Sequence, residues 1–126
     1  MQLEALDHVA VIVRDLDVST RFYEEVVGLR RVHAEAWGEY PVALVAGSSG
    51  AGVALFPAGA EGVPDERDEN VHFAFRTSRA GYEAAKAELA RRVIGFEEWD
   101  HAVALAVYFR DPDGHQIEIA TYDVGG

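Results

Sequence analysis

The sequence predicts an α+β domain of two tandem βαβββ modules whose strands curl into a mixed-sheet cup, and three observations carry this prediction. The chain reads strand, helix, three strands, connector, and then the same order again. Laying His8 on His72 sets an offset of 64 residues, which faces VAVIVR with FAFRTS and Ala54 with Glu118. Alternate strand positions also sort into a bulky aliphatic face and a face of small and polar side chains.

Each element has its own local warrant. Residues 3–13 alternate into the β-branched run VAVIV, a strand pattern. Asp17 is the expected N-cap of a helix over 18–27, where Val18, Phe22 and Val26 recur at helical spacing and Gly28 closes the end. Strands are expected at 30–37, 41–46 and 52–57, parted by Gly38 and the loop GSSGAG; they complete a first module over 1–57. A polar connector over 58–69 contains the acidic run EGVPDERDE. The second module, 70–126, opens with strand 70–76 (NVHFAFR), and Ser78 starts a helix over 79–91. Strands at 93–99 and 103–110, a DPDG turn and a strand at 115–122 complete it.

Composition narrows the function classes. At 126 residues the chain fits one domain and buries about two-thirds of its unfolded surface. A net charge of −11 with no Lys/Arg cluster argues against a nucleic-acid partner. No apolar run approaches the roughly 20 residues that span a bilayer, and no secretory leader pattern opens the chain, so a cytoplasmic location without membrane partners is expected. With no cysteine, any metal must take His, carboxylate or carbonyl ligands.

The two strand faces locate the chemistry. Val9, Val11, Val13, Val53, Leu55, Val71, Phe73, Phe75, Val103, Leu105, Val107, Phe109, Ile117 and Ile119 share a face suited to packing under two helices. The opposite face carries His8, Ala10, Ala54, His72, Ala74, Ala104, Ala106, Tyr108, Gln116, Glu118 and Ala120, and small side chains there leave space for a ligand. His8, His72 and Glu118 fall on that face of three strands. Two imidazoles and a carboxylate are the ligand set of non-haem Fe(II), which also suits Mn, Co, Ni and Zn and leaves positions open. Each residue taken alone reads as a satisfied or surface group, as His33, His101 and His115 do. The shared face and the repeat argue for the three together.

The opening DHVAVIVRDLDVSTRFYEEVVGL, the middle NVHFAFR and the ending VYFRDPDGHQIEIATYD resemble the vicinal oxygen chelate superfamily over nearly the whole chain. That group includes glyoxalase I, methylmalonyl-CoA epimerase, extradiol dioxygenases, fosfomycin-resistance thiol transferases and bleomycin-binding proteins. The resemblance implies paired modules around one divalent metal, commonly in dimers, and fixes fold better than reaction. Departures narrow the choice. Ala54 stands where the glyoxalase and epimerase relatives place a fourth ligand. The thiol transferases carry a threonine at the place of Ala10, a lysine at that of Asp100, and an arginine beyond the last strand with no counterpart in DVGG. Extradiol dioxygenases share a tyrosine ten residues before the glutamate, here Tyr108, but His33 lies too early and His101 two residues too close to serve as their extra histidines.

The expectation is therefore a metal-dependent, most nearly dioxygenase-like enzyme for a small oxygen-rich substrate. It would hold one divalent ion, Fe(II) or Mn favoured over Zn, Ni or Co, through His8, His72 and Glu118. Tyr108 would be catalytic, with Trp37, Phe56, Arg76, Trp99 and Arg110 as substrate contacts, in a homodimer. The alternatives are a glyoxalase-like isomerase or lyase, and a drug-sequestering resistance protein without chemistry.

Overall fold

A computed structural model describes residues 1–63 and 71–125. The chain divides into two compact units, Met1–Pro64 and Asp65–Gly126. Residues 64–69 of the expected connector, and Asn70 at the expected start of the second module, lie outside the described residues.

Unit 1 runs β1 (His8–Val13), α1 (Leu16–Arg21) continued by a π-helical turn over Phe22–Val27, β2 (Arg30–Val32), a single-turn α2 (Ala34–Trp37), β3 (Val42–Val45) and β4 (Gly52–Pro57). Its sheet has the order β1-β4-β3-β2, with β1 parallel to β4 and the remaining pairs antiparallel. The helix is capped two residues earlier than expected. Asp15, extended at φ −133°, accepts from the Val18 N–H at 3.1 Å, while Asp17 sits inside the first turn, where a carboxylate favours the helix dipole. Gly28 closes the helical segment at φ 86°, a left-handed value that glycine adopts without a Cβ penalty. The strand expected over 30–37 stops at Val32, because His33 turns left-handed (φ 60°) and starts the α2 turn.

Unit 2 repeats the plan with β5 (His72–Arg76), α3 (Arg79–Arg91), β6 (Glu97–Asp100), β7 (Leu105–Arg110) and β8 (Gln116–Thr121), in the order β5-β8-β7-β6. β5 is parallel to β8, as β1 is to β4. Ser78 caps α3 as expected, accepting from the Gly81 N–H at 3.1 Å. β6 starts later than expected because Val93 is left-handed and the Ile94 N–H returns to the Leu89 carbonyl to close the helix. Buried Asp111 organises the DPDG turn, its carboxylate accepting from the Asp113 and His115 N–H groups at 2.9 Å each.

The aliphatic faces form the two cores. Val11, Val13, Val53 and Leu55 are buried with Tyr23 in unit 1; Val107, Phe109 and Ile117 are buried with Tyr82 and Leu89 in unit 2. α1 packs on β4 and α3 on β8, which removes these side chains from water at about 1.5–3 kcal/mol each. Two assignments to that face fail. Val103 lies in the turn before β7 and is exposed, and Val71 precedes β5 and is half-exposed. The alternation of a strand cannot place residues the strand does not contain. Among the described residues, no helix is long and apolar enough to cross a membrane.

Candidate metal centre and substrate cleft

In unit 2 the register of three strands assembles the site. β5 pairs with β8 so that Ala74 lies beside Glu118, and β7 pairs with β8 so that Tyr108 lies on its other side. His72, two residues before Ala74, shares its face. The His72 Nε2 stands 2.9 Å from Glu118 Oε1, with both side chains only partly exposed. The Tyr108 ring meets the His72 ring edge-on, centroids 5.5 Å apart. Its hydroxyl lies 2.9 Å from His101 Nε2. Burial first, and then the charge and hydrogen bond of Glu118, push the Tyr108 phenol up to about 12. Tyr108 thus stays protonated near neutral pH and joins His101 to Glu118. When its O–H donates to Glu118, the hydroxyl oxygen accepts from His101 Nε2–H.

Beside this line lies a cleft of about 690 Å³ within unit 2. Phe96, Trp99, His101, Tyr108, Arg110 and Gln116 are among its lining residues, together with His72 and Glu97. Arg110 and Gln116 are paired across β7 and β8, and Gln116 is paired with His72 across β8 and β5.

Unit 1 holds the third expected ligand in different surroundings. His8 Nδ1 is 2.8 Å from the carboxylate of Asp7, its neighbour in sequence. Ala54 lies between Ala10 and Ala43, with no donor beside it. Among the described residues no cluster of three His, Asp or Glu side chains gathers at metal-binding distances. Of the expected triad, then, His72 and Glu118 meet, while His8 belongs to unit 1.

The expected substrate contacts divide. Trp99, Arg110 and Tyr108 line the unit 2 cleft. Arg76 instead lies over the Tyr122 ring, 4.4 Å from its centroid. Trp37 packs against His33 with centroids 4.8 Å apart, and Phe56 is half-buried on β4. Sequence reasoning left three residues out of the site: Asp7, Gln116 and His101. Asp7 was legible as a carboxylate adjoining a ligand-type histidine. The approach of His101 to Tyr108 depends on the turn at 101–104, where Ala102 is left-handed, and no strand pattern encodes that.

A family model of the glyoxalase/bleomycin resistance protein/dioxygenase superfamily matches residues 5–119. The chain belongs to this superfamily. Within it, the chain is 29% identical over 119 residues to a glutathione transferase, FosA, of Serratia marcescens, covering 93% of this chain and 80% of the relative. A virulence protein from Salmonella typhimurium is 26% identical with a TM-score of 0.69, covering 97% of this chain and 99% of that one. A glyoxalase/bleomycin resistance protein/dioxygenase domain from Frankia sp. EAN1pec superposes with a TM-score of 0.78 at 23% identity, over 99% of this chain and 96% of that one.

The donor set fits the divalent metal that this superfamily implies. Two ligands bound side by side at about 2.1 Å each stand about 3 Å apart, which is the spacing of His72 Nε2 and Glu118 Oε1. Asp7 on His8 is the carboxylate–histidine pairing that orients metal-ligating imidazoles.

Proposed function

We propose that the protein is a metal-dependent enzyme that takes a small substrate with vicinal oxygens, in a dioxygenase-like reaction. The observation that carries this reading is the line Glu118–Tyr108–His101, which starts at the His72–Glu118 donor pair and runs along the cleft. His72, Glu118 and His8 would hold the ion, Fe(II) or Mn ahead of Zn, Ni or Co. When bound, the ion supplies Lewis-acid polarisation and open positions for two substrate oxygens. The chain's own part is proton handling. Tyr108, held protonated, donates to a substrate oxygen, and His101 steadies or replaces that proton through its 2.9 Å contact. Phe96 and Trp99 line one side of the cleft. We further propose that the protein works in the cytoplasm as a homodimer, as the superfamily resemblance suggests.

The similarity to a glutathione transferase favours a second reading, thiol transfer to a small anionic electrophile. Ala10 and Asp100 count against it.

Metal-loaded protein assayed with catechols under oxygen, and separately with glutathione plus fosfomycin, separates the two. The first reading predicts oxygen uptake with catechol and no glutathione adduct; an adduct without oxygen uptake reverses the choice. Tyr108→Phe is expected to retain metal and lose about 10²-fold in turnover, the usual worth of a positioned proton donor.

A further inference from the structure

Arg110, like Arg30 and Arg31, hydrogen-bonds neutral groups. The chain has 22 acidic residues against 11 basic ones, and the cations of α3, Arg79, Lys86, Arg91 and Arg92, pair with carboxylates. Arg110 points its guanidinium at neutral groups instead, donating to the Gly114 carbonyl at 2.7 Å and to Gln116 Oε1 at 3.2 Å. These bonds hold the fork in place at the end of β7 and leave the rest of its five N–H donors for a ligand. It lines the same cleft as His72, with Gln116 on the strand between them. Two strand spacings put the backbones of Arg110 and His72 about 10 Å apart. The acidic residue of the cleft, Glu97, pairs with Tyr108 across β6 and β7, one diagonal step from Arg110, and accepts from Trp99 Nε1 at 3.3 Å.

We infer that the substrate is an aromatic carboxylate, its carboxylate on Arg110 and its ring over Gln116, with its vicinal oxygens toward His72 and Glu118. This rests on the chelation reading above and adds the anion and the ring. A planar guanidinium fork matches a carboxylate with two parallel hydrogen bonds, and charge-assisted bonds of this kind are worth about ten- to hundredfold in affinity. The 10 Å span leaves room for one ring between the two anchors.

The test is fluorescence titration of the metal-loaded protein in a Trp37→Phe background, where Trp99 is the only tryptophan and lines the cleft. The probes are 3,4-dihydroxybenzoate, catechol and benzoate. The expected result is at least tenfold tighter binding of 3,4-dihydroxybenzoate than of catechol, a preference abolished by Arg110→Gln and largely kept by Arg110→Lys. Circular dichroism checks that both variants fold, and Arg110→Met replaces the glutamine variant in the comparison if that one does not. Equal affinity of the two diols, no measurable binding of 3,4-dihydroxybenzoate, or a preference that survives Arg110→Gln overturns the inference. Failure of the chelation reading looks different: Glu118→Ala then leaves diol binding unchanged, while benzoate still distinguishes wild type from Arg110→Gln.

Discussion

At the middle of the first sheet Ala54 lies between Ala10 and Ala43; at the equivalent place in the second, Glu118 lies between Ala74 and Tyr108. The strand orders β1-β4-β3-β2 and β5-β8-β7-β6 are the same, and so are the parallel pairings that place His8 and His72. Their histidines meet carboxylates differently. His8 has the Asp7 beside it in sequence, and His72 has Glu118 from another strand. One backbone plan thus serves two halves, and side-chain choice at a few register positions decides which half brings a histidine, a tyrosine and a glutamate together. Gly52 marks the same divergence. Its counterpart at the 64-residue offset is Gln116, yet a Cβ at Gly52 would overlap the Leu44 carbonyl oxygen. Unit 1 is therefore closed to a side chain where unit 2 lines its cleft.

The largest expected effect tests whether the two faces of the unit 1 sheet differ as the comparison requires. Leu55 is fully buried against the helix side, and Leu55→Glu should unfold the domain, since an unpaired buried carboxylate costs several kcal/mol. Ala54→Glu, one residue away, should cost clearly less in a thermal melt. It copies the Glu118 position beside His8, so it should also regain stability and hold metal more tightly on addition of Mn or Fe(II). Equal losses for the two variants, with no metal effect, would remove the equivalence of Ala54 and Glu118.

A second expectation concerns the donor pair. His72→Ala and Glu118→Ala should each lower metal occupancy at least tenfold in native mass spectrometry while shifting the melting temperature little, because both side chains are partly exposed. His8→Ala should match them if unit 1 supplies the third ligand. Full occupancy in His72→Ala would exclude His72 as a ligand.

The smallest expectation separates the helices. α3 carries ion pairs along its exposed side, and hydrogen bonds from Arg91 and then Arg92 lower the Glu88 carboxyl to about 2. A folded pKa below the ordinary value of 4.5 means this contribution is present above about pH 4.5 and is lost as pH falls toward about 2. Glu88→Gln should therefore lower stability slightly at pH 6 and not at all near pH 2. The effect should shrink in high salt because the carboxylate is solvent-exposed.

Much of this was written in the chain. The repeat at 64 residues, the alternation VAVIV and HFAFR, the Ser78 cap and the DPDG turn are local patterns. Side-chain period and cap chemistry act within a few residues, so they predicted the order of strands, the helix over 79–91 and the face shared by His72, Tyr108 and Glu118. What they could not reach was set by contacts closed over longer distances. The left-handed turn at His33 ended a strand that its sequence would have continued, and the helix closure at Val93 delayed the next one. The 2.9 Å approach of His101 to Tyr108 depends on how one hairpin turn folds, and the freedom of Arg110 depends on Gly114 and Gln116 meeting its guanidinium before any carboxylate does. Residue types along the strands determined which groups were on offer; only the packed sheet, with strands about 4.8 Å apart, decided which of them touch.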